Sequence, residues 1–254
     1  MNGSFYIGAT GLSGAQAALD VTANNIANIN TTGFKRSEVS FAALVSPQVG
    51  KTSAVSNPSS SMSGVAVSGT SLVLAEGNLQ QTGQSLDLAI DGDGFVEVMG
   101  PDGQTLLSRG GSMVVNSDGY LSAPGGLPLK AMISVPASAT SVSIQADGKV
   151  EALVGSSTTP TVLGQIDLVR VKDASSLTAV NNGFYQVDDT SDLITAAPGQ
   201  DGAGTLTTGV LESSNVQITD EMTTMLLLER AYGANAQVVQ AGDQLMSIAN
   251  SLKR

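Results

Sequence analysis

Apolar residues recur every seven positions near the start of the chain, at Phe5, Leu12, Leu19 and Ile26, with Gly8, Ala15, Thr22 and Ile29 three places after each. A heptad ladder with small residues in its second position predicts a helix that lies against another helix. The ladder stops at Thr31-Thr32-Gly33, where Gly33 suits a left-handed closing residue, and Lys35 and Arg36 suit the negative end of the helix dipole. The expected helix covers Ser4 to Asn30.

The far end mirrors it. Thr219 can cap a helix whose first turn holds Asp220 and Glu221 and whose last residues are Lys253 and Arg254, the charge order a helix dipole favours. Two apolar stripes run side by side along it. One is Met225, Leu228, Tyr232, Val239, Met246 and Ala249; the other is Leu227, Ala231, Ala234, Val238, Ala241, Leu245, Ile248 and Leu252. Stripes offset by about 100° span a wider arc than one partner helix covers, so more than one neighbour is expected. Gly233 and Gly242 weaken the helix interior but, beside Ala231, Ala234 and Ala241, they allow close helix approach.

Between the helices the texture changes. Ser46 to Ser71 is rich in Ser, Gly and Val, contains Pro47 and Pro58, and reads as an extended or flexible segment. From about Leu72 to Ser214 short β-type runs alternate with turn signals: Leu86–Ile90, Phe95–Val98, Met113–Val115, Val142–Ile144, Gln165–Val171, Phe184–Val187 and Val210–Leu211. Two hairpins are expected, over Val114–Leu121 and Val142–Val150, each with Asp-Gly at its turn. The fold class is therefore α+β: long terminal helices packing as a coiled coil, with a central all-β domain. The expected divisions are 1–36, a connecting segment at 37–80, the β domain at 81–214, and 215–254.

Composition narrows the chemistry. With 11 basic and 22 acidic side chains the net charge is −11, which excludes an electrostatic grip on nucleic acid. No His, Cys or Trp is present, which removes the commonest metal ligands, thiol nucleophiles and disulfides. No cleaved secretory signal and no membrane span are expected, because the opening residues lack the charged and apolar regions of the one, and no run of about 18 apolar residues exists for the other.

Tempting motifs resolve blandly. Gly50-Lys51-Thr52 lacks the earlier glycine of a phosphate loop, and the Asn30-Thr31-Thr32 sequon falls at a helix end. Asp91-Gly-Asp93-Gly-Phe95 has Phe95 where a calcium loop needs a ligand, so a hairpin or bulge between two strands is expected. Asp87, Asp91, Asp93 and Glu97 read as an acidic surface rather than a glycosidase pair. No catalytic residue, metal site or cofactor is expected. The asparagines at 24, 25, 28 and 30 are poor helix formers, and their amides are expected to bond across a helix–helix contact and set its register.

Three blocks, in order, carry a family resemblance: Leu19-Asp20 through Asn24-Asn25, Asn28 and Gly33-Phe34-Lys35; Gly77-Asn78-Leu79-Gln80 with Leu86-Asp87 through Gly94-Phe95; and Gly209 through Leu211-Glu212, Asn215-Val216 and Glu229-Arg230-Ala231-Tyr232. They resemble the axial proteins of the bacterial flagellum, the basal-body rod family, and most of all its distal-rod members. The resemblance implies a non-enzymatic subunit that self-assembles into a hollow helical rod crossing the periplasm. It implies contacts with other rod and hook proteins and with surrounding ring proteins, and passage through the flagellar type III export apparatus. A proximal-rod or hook-type role, or a surface-binding β module, are the alternatives. The expected subunit-facing residues are Phe5, Leu12, Leu19, Asn24, Asn25, Ile26 and Asn28 on the first helix. On the second they are Met225, Leu228, Tyr232, Val238, Val239, Leu245, Met246 and Leu252.

Overall fold

The structure, a computed structural model, describes residues 2–45, 62–155, 157, 159–173, 176–180, 183–187 and 193–252. The chain divides into two compact units, one of residues 1–26, 37–71 and 217–254, the other of residues 27–36 and 72–216.

The first unit holds α1 (Asn2–Ala27), the strands β1 (Ser37–Val45) and β2 (Met62–Leu72) paired as a two-stranded ribbon, and α2 (Ile218–Leu252). The helices run antiparallel, since Gly8 lies against Val239, Gly11 against Asn235, and Asn25 against Glu221. A Cβ at Gly8 would fall 2.8 Å from Val239 Cγ2, and one at Gly11 would fall 2.7 Å from Asn235 Nδ2. The buried line of α1 is accordingly its small one: Gly8, Ala15, Ala18, Thr22 and Asn25. This corrects the weight placed on the large heptad residues. Phe5 is exposed, and Leu12, Leu19 and Ile26 are half-buried on the flank, because closely apposed backbones leave no room for them at the centre.

The helix limits also shift. α1 ends at Ala27, not Asn30, and Gly33 has its expected positive φ (+69°) in a later turn, where the Phe34 N–H donates to the Thr31 carbonyl. Thr219 is not the cap of α2. The helix begins one residue earlier, and the Gln217 carbonyl accepts the first helical bond, from the Glu221 N–H. Lys253 and Arg254 lie outside the described residues. So do residues 46–61, but the rest of the stretch read as irregular, from Met62 onward, is strand β2. Its Gly and Ser content is offset by pairing with β1 and by packing on α1: a Cβ at Gly14 would meet Phe41 and Val65, and the Val65 N–H approaches Thr10 Oγ1.

The second unit is built of strands β3 (Leu79–Gln81), β4 (Asp87–Asp91), β5 (Phe95–Met99), β6 (Thr105–Ser108), β7 (Gly110–Ser112), β8 (Val114–Val115), β9 (Leu121–Ser122), β10 (Ala139–Ile144), β11 (Lys149–Val154), β12 (Thr161–Gln165), β13 (Leu168–Val171), β14 (Leu177–Val180), β15 (Phe184–Val187), β16 (Leu193–Ala196), β17 (Thr205–Thr208) and β18 (Val210–Glu212). A six-stranded sheet runs β14-β15-β6-β5-β13-β16; smaller sheets run β17-β4-β7, β10-β11-β12, β18-β3 and β8-β9. Leu88, Ile90, Val98, Leu121, Ile166 and Leu168 belong to one core, and Phe95, Leu107, Leu177 and Tyr185 to a second. Both predicted hairpins form, with Gly119 and Gly148 at positive φ. The segment at Asp91–Phe95 is neither hairpin nor bulge. It carries the chain from one sheet to another, with Gly92 and Gly94 at φ +106° and +145°.

Among the described residues no helix is long and apolar enough to cross a membrane.

The helix contact yields a paired prediction. Gly8→Leu overpacks the approach to Val239 and destabilises the helix pair by about 1–3 kcal/mol, whereas Gly233→Ala, where nothing lies within 4 Å, stabilises by about 0.5–1 kcal/mol. Thermal unfolding followed by far-UV circular dichroism checks both, and equal effects of one sign would contradict the packing.

Candidate functional site

On α2 the two apolar stripes have different surroundings. Met225, Leu228 and Val239 are half-buried on the side that meets α1, and Tyr232 and Met246 on the same line are exposed. The second stripe is uncovered throughout: Ala231, Ala234, Val238, Ala241 and Ile248 are exposed, and Leu227, Leu245 and Leu252 are 61%, 59% and 82% exposed. One stripe is partly covered within the chain, and a continuous apolar ribbon remains on a helix of 35 residues.

The asparagine cluster separates. Asn25 alone is buried; its Nδ2 donates to the Ser37 carbonyl (2.9 Å) and to Glu221 Oε2 (3.3 Å), and its Oδ1 accepts from the Ser37 N–H (2.9 Å). One amide thereby joins α1, β1 and the first turn of α2. Asn28 instead accepts from the Thr31 hydroxyl in the turn after α1, and Asn24 and Asn30 are exposed.

The second unit contains a polar centre that the residue pattern did not disclose. Glu212, at the end of β18, is fully buried between Lys35 Nζ (2.6 Å) and Arg109 Nε (3.1 Å), and its Oε1 also accepts from the Gly77 N–H (2.9 Å). Lys35 donates further to the Ala75 carbonyl. Arg109 is cradled by the carbonyls of Gly92 (3.0 Å), Gly94 (2.7 Å) and Ile90 (3.3 Å), with the Phe95 ring 5.7 Å from its guanidinium carbon. The Tyr185 hydroxyl accepts from the Lys35 N–H and donates to the Gly33 carbonyl. Asn215 Oδ1 accepts from the Arg36 N–H, while its amide donates to the carbonyls of Val73 and Ala75.

Lys35 was assigned to the dipole of the first helix; it lies beyond that helix and serves the carboxylate instead. Burial, and then the neighbouring Arg109, hold its ammonium below the usual lysine range. Burial likewise pushes the Tyr185 phenol well above the tyrosine range. The available sequence signal was the recurrence of Lys35, Gly77, Glu212 and Asn215 in the three family blocks; Arg109 and Tyr185 carried none.

The acidic residues considered for catalysis have structural partners or flank a crossing. Buried Asp87 accepts from the hydroxyls of Thr82 and Ser112, Glu97 pairs with Lys130 (2.7 Å), and Asp91 and Asp93 border the Gly92 turn. Among the described residues no group of three or more acidic side chains is placed to hold a metal ion.

The site is thus defined by an uncovered apolar helix face in one unit and a buried, ion-paired carboxylate in the other. Comparison with known proteins gives the class. Residues 5–35 match the family described as Flagella basal body rod protein, residues 89–152 the Flagellar hook protein FlgE/F/G D1 domain, and residues 207–252 the Flagellar basal body rod FlgEFG protein C-terminal family. The chain is 32% identical over 257 residues to the flagellar basal-body rod protein FlgG of Buchnera aphidicola subsp. Acyrthosiphon pisum, spanning 98% of this chain and 99% of that one. It is 33% identical over 261 residues to FlgG of Borreliella burgdorferi (99% and 98% covered), and 35% identical over 263 residues to FlgG of Bacillus subtilis (99% of each). The chain belongs to the FlgG family of flagellar basal-body rod proteins.

Two predictions concern the buried centre. Glu212→Gln leaves Lys35 and Arg109 without their shared counter-charge and destabilises the protein by about 3–5 kcal/mol, measured by urea unfolding; a loss below about 1 kcal/mol would mean the pair is already compensated elsewhere. Tyr185 gives a pH signature. Its folded-state pKa is raised, so its contribution is complete below about pH 10 and is lost as pH climbs beyond. Lys35, whose pKa is lowered, acts with the opposite sign, so the variant isolates the phenol. Tyr185→Phe is less stable at neutral pH and shows a shallower alkaline loss than the parent; parallel curves would contradict it.

Proposed function

We propose that this chain is a structural, non-enzymatic subunit of the flagellar distal rod, polymerising with copies of itself into a hollow helical shaft in the basal body. The observation that carries the reading is the uncovered stripe from Leu227 to Leu252 beside a stripe already engaged by α1. In this reading the inner stripe, with Met225, Leu228 and Val239, sets the intramolecular helix pair. The outer one, with Val238, Leu245 and Leu252, meets neighbouring subunits in coiled-coil fashion. Phe5, Leu12, Leu19 and Ile26, on the flank of α1, add to the surface offered to those neighbours, while Asn25 fixes the register of the helix pair.

Head-to-tail contacts of one chain with the next propagate as a helical filament instead of closing into a ring. Such a subunit works beside other rod and hook proteins and the surrounding rings, and reaches its place through the flagellar export apparatus. The family membership supports the rod; a surface-binding β module has no comparable support.

Val238→Asp tests it. Val238 is exposed in the single chain, so the substitution leaves the fold intact, but a charge buried at a subunit contact is costly. Electron microscopy of purified protein under assembly conditions is expected to show filaments for the parent and dispersed particles for the variant, with unchanged circular dichroism of the free chains. Filaments of equal length from both would remove the outer stripe from the contact.

A further inference from the structure

Methionine carries the only sulfur in this chain, which has eight Met and neither Cys, His nor Trp. Among the described side chains, burial sorts them by reactivity. Met113 is sealed in the core at 2% exposure, whereas Met222 and Met246 on α2 are 55% and 42% exposed. Met132, in a turn at φ +46°, is 50% exposed.

The two on α2 stand where an oxygen atom would matter. Met222 lies between Ile218 and Leu226, four residues from each, and all three are exposed. Met246 lies two turns past Val239 on the stripe that meets α1. Its side chain stays exposed there, unlike that of Val239, which packs on Gly8.

We infer that Met222 and Met246 are oxidation sites of the unassembled chain, and that their conversion to sulfoxide blocks polymerisation. The inference rests on the rod-subunit reading for its consequence but not for its chemistry. A two-electron oxidant of the peroxide class transfers one oxygen to the thioether. The sulfur is oxidised, an S–O bond forms as the peroxide O–O bond breaks, and water leaves when the oxidant is hydrogen peroxide. The sulfoxide oxygen is a strong acceptor, so burying it against the apolar surface of a neighbour leaves it unsatisfied. A reductase specific for methionine sulfoxide reverses the change. Met222, one turn before Leu226, and Met246, next to Leu245, flank the outer stripe, so a neighbour that covers this side of α2 also shields both sulfurs from the oxidant.

The test treats the purified full chain with hydrogen peroxide, maps oxygen addition at each methionine by peptide mass spectrometry, and then images the product under assembly conditions. Met222 and Met246 are expected to react at least about tenfold faster than Met113, and preformed filaments to react more slowly at both. Treated chains are expected to fail to polymerise, and a mixture of the two stereospecific sulfoxide reductases to restore filaments. Met132→Leu, which removes the exposed thioether of the β body, is expected to leave the peroxide sensitivity unchanged.

Normal filaments from chains carrying both sulfoxides would overturn the inference, as would peroxide resistance in Met132→Leu or equal rates at Met113 and Met246. Failure of the untreated chain to polymerise would instead overturn the rod reading. The oxidation sites would then still stand or fall on the mapped rates.

Discussion

One helix cannot bury two adjacent stripes against a single partner, and that geometric limit governs the helical half of this chain. α1 approaches α2 through Gly8, Gly11, Ala15 and Ala18, a face so small that the two backbones nearly touch. Close approach gains dispersion along a narrow seam and covers little to either side. The consequence is visible in what stays wet. Val238 is nearly half-exposed although its neighbour Val239 packs on Gly8, and Leu227, Leu245 and Ile248 continue the uncovered line. A wider α1 face, with Leu at the seam, would have pushed the helices apart and covered more of α2 from within the chain. The choice of small residues therefore leaves the outer stripe of α2 uncovered by α1.

The β body answers a different constraint, that of closing a body whose segments are far apart in sequence. Residues 33–36, 75–77 and 209–215 meet around the Glu212 carboxylate, which each approaches with a donor or supplies. A hydrophobic contact at this junction would tolerate several registers, whereas a carboxylate with two cations and a backbone N–H has few satisfactory arrangements. Desolvating three charges is expensive, so the gain lies less in net stability than in the cost of any misaligned closure. Arg109 shows the same logic on the other side. Its guanidinium is held by the Ile90 carbonyl of β4 and by those of Gly92 and Gly94 in the crossing that follows, where both glycines have positive φ.

How much of this was legible depends on whether the information is periodic. Heptads are periodic, so both helices and the two stripes of α2 could be read directly, and Asp-Gly turns placed the hairpins around Gly119 and Gly148. What periodicity does not encode is which heptad position faces the partner. The large residues Phe5 and Leu12 carry the stronger signal, but Gly8 and Ala15 carry the contact. Strand β2 was missed because its Ser and Gly residues argue against a strand locally, and the pairing with β1 that overrides them is a tertiary fact. The Glu212 centre was missed for a related reason. Lys35, Arg109 and Glu212 are each ordinary surface-type residues when read singly, and only the fold brings them within hydrogen-bond reach.

The sparse charge of this chain gains meaning from the same comparison. Where ions are buried they are grouped: two of the 11 basic residues converge on one carboxylate, while the outer stripe of α2 from Leu227 to Leu252 holds none. An ion on that stripe would be harmless in a lone helix facing water, since exposed charges cost little and aid solubility. Its absence along eight successive heptad positions is therefore not a requirement of the single folded chain. It follows instead if the stripe is to lie against apolar surface, where one unpaired ion would outweigh the gain from several leucines.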